Sequence, residues 1–115
     1  MKNKETLFTK IIDRKIPADI IYEDELCLAF RDIQPQAPLH ALLVPKTPIA
    51  KLSEGSRHEQ GLLGHLMLTA SIIAKEQGFE DAFRLVINNG AKAGQTVFHL
   101  HLHIIAGREL GWPPG

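Results

Sequence analysis

The chain reads Val97-Phe98-His99-Leu100-His101-Leu102-His103-Ile104-Ile105 close to its C-terminal end, and this stretch decides the fold. The three histidines recur at every second residue, which is the side-chain period of a β-strand, so the pattern predicts that all three imidazoles share one face. The apolar residues between them are then predicted to face a core. Imidazole titrates near pH 7, where it can act as nucleophile, general acid, general base or metal ligand. The stretch therefore predicts a strand with one apolar face and one reactive face.

Hydrophobic periodicity predicts the elements around this strand. They are a short helix over 7–14, strands over 20–22, 27–30, 40–44 and 83–87, a long helix over 59–77, and the histidine strand over 97–105. The order helix, three strands, helix, two strands is typical of an α+β domain. Because most neighbouring strands lack a helical crossover between them, we expect a five-stranded, mainly antiparallel sheet. The length of 115 residues suits one domain over 1–115.

Composition excludes several partners and locations. Thirteen Lys and Arg residues balance thirteen Asp and Glu residues, so the chain lacks the positive field that holds a nucleic-acid polymer. The sole cysteine, Cys27, cannot form an intrachain disulfide, which favours a reducing compartment. Nothing in the sequence reads as a signal peptide or a bilayer-spanning segment. The sequence therefore predicts a cytoplasmic protein with no membrane partner.

The long helix is predicted to carry two apolar surfaces. The main stripe should pack on the core and consists of Leu62, Leu63, Leu66, Ala70, Ile73 and Ala74. Leu68 and Ile72 lie off this stripe, with His65 one turn earlier. We expect a second subunit to cover them, and ordinary scattered surface residues are the simpler alternative.

Three interpretations of the histidine row stay open on the residues alone. Imidazoles two residues apart can share a zinc ion, but His99 and His103 lie roughly 13 Å apart along a strand, so one ion bound by all three needs strong distortion. Three solvated surface histidines are a second interpretation, which the strict alternation disfavours. Covalent nucleophilic catalysis is the third, with His101 as the natural nucleophile because it alone is flanked on both sides.

The segment from His99 to Ile105 resembles the His-x-His-x-His-x-x signature of the histidine triad (HIT) superfamily of nucleotide hydrolases and transferases. Other segments are similar to its Hint branch, the histidine triad nucleotide-binding proteins: Phe8-Thr9-Lys10-Ile11-Ile12, Ile16-Pro17-Ala18, Cys27-Leu28-Ala29-Phe30, Asp32-Ile33, Pro35-Gln36-Ala37-Pro38, Val44-Pro45-Lys46 and Trp112-Pro113-Pro114-Gly115. The resemblance implies a HIT-like fold that pairs into a continuous sheet across a homodimer. It also implies a purine nucleoside phosphoramidase, which hydrolyses the P–N bond of adenosine or guanosine 5′-monophosphoramidates, and in some members aminoacyl adenylates. We expect no cofactor and no resident metal.

The resemblance implies roles for four histidines. His101 would attack the α-phosphorus and form a nucleotidyl-histidine intermediate that water later cleaves. His103 would contact the phosphate and the leaving group, while His99 and His40 would sit behind the nucleophile and orient it. A P–N bond becomes labile when its nitrogen is protonated, so an imidazolium near the leaving group would assist its cleavage.

The resemblance also implies a site for a purine nucleotide. Asp32 would accept hydrogen bonds from the ribose hydroxyls. An apolar slot around the base would be formed by Phe8, Ile11, Phe30, Ile33 and Leu42. Contacts to the phosphate or ribose would come from Asn88, Gly94, Gln95, Thr96 and Val97. Backbone N–H groups near Thr96 and Val97 would stabilise a developing oxyanion. The loop over 90–96 is not a Walker motif, because it lacks Gly-Lys-Ser/Thr and opens a strand rather than a helix.

Several rival functions remain beside the phosphoramidase that the resemblance implies. Nucleotidyl transferases of the superfamily replace the last histidine by glutamine, so the presence of His103 favours hydrolysis. Dinucleoside polyphosphate hydrolases keep all three histidines but lack the terminal Trp-Pro-Pro-Gly, in which Trp112 is expected to approach the partner's site and select the leaving group. A nucleotide-binding adaptor and a metal-binding regulatory module are alternatives from other classes. His58 and His65 match no site position and are predicted to be helix-surface residues.

Overall fold

A computed structural model describes residues 5–115, so residues 1–4 of the predicted domain lie outside the described part of the chain. The elements are α1 (Leu7–Ile12), β1 (Ile20–Glu23), β2 (Cys27–Arg31), β3 (Leu39–Pro45), α2 (Gln60–Glu76), β4 (Phe83–Val86) and β5 (Leu102–Ala106). The strands form one antiparallel sheet in the order β1-β2-β3-β5-β4. This architecture confirms the predicted α+β fold with its five-stranded sheet, one short helix and one long helix. Within residues 5–115, neither α-helix combines the length and the apolar character needed to cross a membrane.

The sheet is covered on both faces. On one face α2 packs against buried residues of three strands, namely Cys27, Ala29, Ala41, Leu43, Leu102 and Ile104. On the other face Phe8 and Ile11 of α1 pack against the alternate residues Leu28, Phe30, Leu42 and Val44. Because successive side chains of a strand point to opposite faces, β2 and β3 supply both clusters. Every residue of β3 is buried, as expected for a strand covered on both sides.

α2 presents the predicted stripe to the core. The helix buries Leu66, Thr69, Ala70, Ile73 and Ala74, while Leu62 and Leu63 are partly buried against the same cluster. The opposite side exposes Met67, Leu68 and Ile72, which are 49%, 70% and 48% exposed. The outer apolar surface predicted from the sequence is therefore present in the single chain.

The histidine strand is shorter than predicted, because β5 begins at Leu102 rather than near residue 97. The β3–β5 ladder ends at the pair Leu43 and Leu102. Two residues further on, the partner of Leu100 would be Pro45, which has no N–H to donate. The Leu100 N–H instead donates to the Ile49 carbonyl at 2.6 Å. The prediction of a regular strand over 97–101 was wrong.

A tight contact between Gly107 and Pro38 fixes the exit of β5 against the loop before β3. Gly107 has φ of 100°, and a Cβ there would lie 2.8 Å from the Pro38 Cβ and 3.2 Å from the Phe79 ring. We expect Gly107→Ala to destabilise the protein by about 1–3 kcal/mol, because it combines a strained backbone with a steric clash. The measurement is urea unfolding followed by circular dichroism.

Gly111→Ala is the matched control, because a Cβ at Gly111 meets nothing within 4 Å. Equal unfolding free energies for the two variants would contradict this account of Gly107.

Candidate active site

A cavity of about 690 Å³ opens between α1, the end of β2 and the segment that leads into β5. This volume lies in the range of small-molecule sites. Twelve residues predicted to bind nucleotide line it: Phe8, Ile11, Phe30, Asp32, Ile33, Leu42, Asn88, Gly94, Thr96, Val97, His101 and His103. Its walls thus combine apolar side chains with imidazoles, an amide, a hydroxyl and a carboxylate.

The apolar wall is formed largely by α1 and β2. A capping box between Thr6 and Thr9 satisfies the first turn of α1, which fixes the short helix over the sheet. Phe8 meets Phe30 edge to face with ring centroids 5.4 Å apart. Ile33 is 93% exposed and lies at the cavity rim. The wall is therefore closely packed where Phe8 meets Phe30 and exposed to solvent at Ile33.

His101 is held in one tautomer by its own backbone. Its Nδ1 lies 2.7 Å from the His99 carbonyl oxygen. A carbonyl oxygen only accepts, so Nδ1 carries the proton and Nε2 keeps its lone pair. The Phe8 ring and the imidazole pack nearly perpendicular to each other, with their centroids 4.9 Å apart. Burial lowers the pKa of His101, so the ring is a neutral base with its lone pair on Nε2.

His103 receives the opposite tautomer through His40. The Gln36 N–H donates to His40 Nδ1 at 3.0 Å, so the proton of His40 lies on Nε2. This Nε2 lies 2.9 Å from His103 Nδ1, which must therefore accept and leave the His103 proton on Nε2. Burial, reinforced by the neighbouring His101 and His40, lowers the pKa of His103 to about 4. The Asp32 carboxylate lies 3.5 Å from His40 Nε2 and opposes the lowering of the pKa of His40 by burial.

Two of the predicted orienting roles change in detail. His40 contacts His103, so it positions that ring rather than His101. His99 orients His101 through its carbonyl, while its own ring donates from Nε2 to the Pro45 carbonyl at 2.7 Å. His99 Nδ1 is the one buried side-chain nitrogen or oxygen in the described residues 5–115 that lacks a hydrogen-bond partner. Burial also lowers the pKa of His99, which keeps this ring neutral.

Gln95 lies away from the cavity, contrary to its predicted contact with phosphate or ribose. Its carbonyl oxygen accepts from the Gly90 N–H at 2.8 Å, and its amide donates to the carbonyls of Ala50 and Val97. The side chain is buried. Gln95 therefore braces the loop whose next residue, Thr96, lines the cavity.

Three other predicted residues lie outside the cavity of this chain. Trp112 is 83% exposed and does not line the cavity. His58 is exposed, as predicted, and lies in the short 3-10 helix Arg57–Glu59 that precedes α2. His65 is not a simple surface residue, because its Nε2 lies 2.7 Å from the Asp24 carboxylate in the β1–β2 turn. Its partner is 41 residues away in the chain, so no local pattern indicated the contact.

A family model described as the HIT domain matches residues 13–110. The chain belongs to the HIT family. It is 60% identical over 112 residues to an uncharacterized HIT-like protein of Synechocystis sp., across 97% of this chain and 98% of that protein. It is 47% identical over 120 residues to a Zea mays protein named 14 kDa zinc-binding protein, across 100% of this chain and 91% of the relative.

The fold likeness is equally extensive. A HIT family hydrolase from Legionella pneumophila superimposes with a TM-score of 0.94 and 42% identity, covering 96% of this chain and all of that one. A second HIT family hydrolase, from Clostridium thermocellum, gives a TM-score of 0.90 at 40% identity, covering 96% of each chain. The chain is thus a HIT family hydrolase-like protein.

The sequence did not reveal the backbone groups that set the tautomers at this HIT site. The Gln36 N–H and the His99 and Pro45 carbonyls are main-chain atoms, which any residue type supplies. The prolines at 35, 38 and 45 are the nearest signal, because they shape the segments that present two of these groups.

We expect nitrogen-15 imidazole spectra at pH 7 to show the Nδ1–H tautomer for His101 and the Nε2–H tautomer for His40 and His103. His103 should stay neutral until the pH falls to about 4, because burial and its imidazole neighbours disfavour its charged form. His58→Gln, which removes an exposed ring, should leave these three signals in place. An Nε2–H tautomer for His101 would contradict the assignment.

Proposed function

We propose that this chain is a purine nucleoside phosphoramidase of the Hint branch, which hydrolyses the P–N bond of adenosine or guanosine 5′-monophosphoramidates, and also aminoacyl adenylates, without a metal cofactor. The observation that carries the proposal is the fixed tautomer of His101 at the wall of a nucleotide-sized cavity. A neutral imidazole with a free Nε2 lone pair is the form required for attack on phosphorus. HIT family membership supports a nucleotide as the substrate.

The cavity suits the parts of a purine nucleotide. Its apolar wall of Phe8, Phe30 and Leu42 matches the faces of a base. Asp32 Oδ1 accepts from the Gln34 N–H at 2.8 Å. Oδ2 lies 3.5 Å from His40 Nε2 and has a second lone pair that can accept from a ribose hydroxyl. Polar groups for the phosphate stand beside the two imidazoles, at Asn88, Gly94, Thr96 and Val97.

The first chemical step uses the two histidines in complementary roles. His101 Nε2 forms a bond to the α-phosphorus as the P–N bond breaks, and the His101 Nδ1–H keeps its bond to the His99 carbonyl. An anionic phosphate beside His103 raises the pKa of that imidazole in the complex. The added proton occupies His103 Nδ1, and the His40 Nε2–H turns its hydrogen bond from that atom to the Asp32 carboxylate, which lies 3.5 Å away. The protonated His103 then gives its Nε2 proton to the departing nitrogen, which leaves as a neutral amine.

Water completes the reaction in the second step. The neutral His103 takes a proton from water as its oxygen bonds to phosphorus and the bond between phosphorus and His101 breaks. The nucleotide leaves, His101 returns to its neutral form, and His103 regains the proton it gave. Each bond and proton is accounted for without an external reductant, oxidant or metal.

The protein is further proposed to act as a homodimer. β4 is an edge strand of the sheet, and an unpaired edge can pair with a second copy. The exposed Met67, Leu68 and Ile72 lie on the outer side of α2. The exposed Trp112 would then reach the partner's site and contact the leaving group.

The first test is release of AMP from adenosine 5′-phosphoramidate with a chelator present. We expect His101→Ala to lower kcat by at least about 10³-fold, because the nucleophile is removed. His58→Ala is the matched control and should keep wild-type activity, because His58 is exposed outside the cavity.

Three results would contradict the assignment. Faster hydrolysis of a dinucleoside polyphosphate than of the phosphoramidate would favour the rival hydrolase. Nucleotide binding without turnover by the wild type would favour an adaptor. Activity lost on chelation would favour a metal-dependent site, for which Asp32, His40 and His103 could supply ligands. The chelator is a necessary control because the maize relative is named a zinc-binding protein.

The dimer has a separate test by analytical ultracentrifugation at micromolar concentration. We expect a dimer for the wild type and a monomer for Leu68→Glu, because the charge would be buried unpaired at the interface. Leu26→Glu is the control, since Leu26 is 47% exposed in the hairpin turn at the opposite edge of the sheet. A monomeric wild type would contradict the proposal.

A further inference from the structure

A second cluster of chemically active side chains lies on the α2 side of the sheet, apart from the histidine cavity. It consists of Asp24 in the β1–β2 turn, Cys27 at the start of β2 and His65 in α2. None of the three lines the active-site cavity. The proposed phosphoramidase chemistry uses none of them, so the cluster needs its own explanation.

The donor atoms of the cluster converge on one point. Asp24 Oδ2 lies 2.7 Å from His65 Nε2, and Asp24 Oδ1 lies 3.4 Å from Cys27 Sγ. One donor atom from each residue can be chosen so that all three lie within 4.8 Å of one another. Ligands of tetrahedral zinc stand about 3.3–3.6 Å apart, as the zinc–ligand bond lengths require. Side-chain adjustments of about an ångström would therefore close the site.

The three donors suit zinc rather than a hard cation. A thiolate, an imidazole and a carboxylate are the ligands that zinc takes in proteins, whereas magnesium and calcium prefer oxygen alone. A Cys27 thiolate and the Asp24 carboxylate together neutralise a doubly charged ion. Three protein ligands leave the fourth position to water, which can enter because the His65 and Asp24 side chains are 35% and 25% exposed.

The carboxylate is already held in place for this role. Asp24 Oδ1 accepts from the N–H groups of Leu26 and Cys27 at 2.8 and 2.9 Å. The Tyr22 hydroxyl donates to Oδ2 at 3.0 Å. Such outer hydrogen bonds fix the orientation of a ligating carboxylate and raise metal affinity.

We propose that Asp24, Cys27 and His65 form a zinc site that joins the β1–β2 turn to α2, separate from the catalytic histidines. On binding, the Cys27 thiol loses its proton to solvent and a bond between Sγ and zinc forms. His65 binds through Nε2, which gives up any proton that it donates to Asp24, and the remaining N–H of the ring lies on Nδ1. Burial raises the pKa of the free thiol to about 12, so binding should be measured in mildly alkaline buffer.

Cobalt substitution provides a selective test, because Cys27 is the only thiol in the 115-residue chain. A charge-transfer band from thiolate to cobalt can arise only from this residue. We expect one equivalent of cobalt to produce the band in the folded wild type, and zinc to abolish it by displacement. His65→Gln and Asp24→Asn should each weaken cobalt binding at least tenfold, and Cys27→Ala should eliminate the band.

Two control variants separate this cluster from other histidines. His58→Gln removes an exposed imidazole, and His103→Gln disrupts the second group that could hold a metal, which is Asp32, His40 and His103. Both should keep the wild-type band. Zinc should also raise the Tm of the wild type and of His103→Gln but not of His65→Gln, with circular dichroism confirming that each variant is folded.

Absence of the band with stoichiometric cobalt would overturn the proposal. A band of unchanged affinity in folded His65→Gln would also overturn it, because the thiol would then bind cobalt without the predicted partner.

Discussion

The hydrogen bond from His101 Nδ1 to the His99 carbonyl is the interaction on which the rest of the site depends. A regular strand would direct this carbonyl within the plane of the sheet toward a neighbouring strand. Because the ladder stops at Leu102, the carbonyl is free to accept from the ring two residues later. The irregular segment before β5 is therefore a condition for the proposed role of His101 as nucleophile. Burial then keeps the ring neutral, so the lone pair on Nε2 is available.

The antiparallel pairing of β3 with β5 supplies the second half of the site. Leu42 pairs with His103, and His40 pairs with Ile105, which brings the His40 and His103 rings into diagonal contact across the two strands. The Gln36 N–H sets the tautomer of His40 and, through it, that of His103. Two adjacent imidazoles thus present different groups, a lone pair on His101 and an N–H on His103. A base and a proton donor can coexist at one pH because backbone atoms, rather than pKa differences alone, assign their protons.

The two faces of the sheet are covered by different helices, and the active-site cavity lies on the face that α1 covers. Short α1 covers one face incompletely, and the uncovered part becomes the cavity. Long α2 covers the other face and packs against the larger of the two core clusters. The exposed side of α2 and the β4 edge remain available for a second copy.

Periodicity predicted the sheet and both helices because those patterns are local. It placed His101 and His103 on the reactive face, and the structure brings both to the cavity. Periodicity did not predict the hydrogen bonds whose two partners lie far apart in the chain. Gln95 turns inward to a carbonyl 45 residues away, and His40 reaches a ring 63 residues away. Such contacts follow from the folded topology, so a local sequence pattern carries no signal for them.

The nucleophilic role of His101 is tested most directly by trapping the intermediate. Wild-type protein would be mixed with a guanosine or adenosine phosphoramidate, quenched in alkali, in which a bond between phosphorus and histidine survives, and digested for mass spectrometry. The account predicts one nucleotidyl group on His101 that disappears when the reaction is allowed to finish. A nucleotidyl group on another residue, or turnover with inversion of configuration at phosphorus, would show that His101 does not form the covalent intermediate.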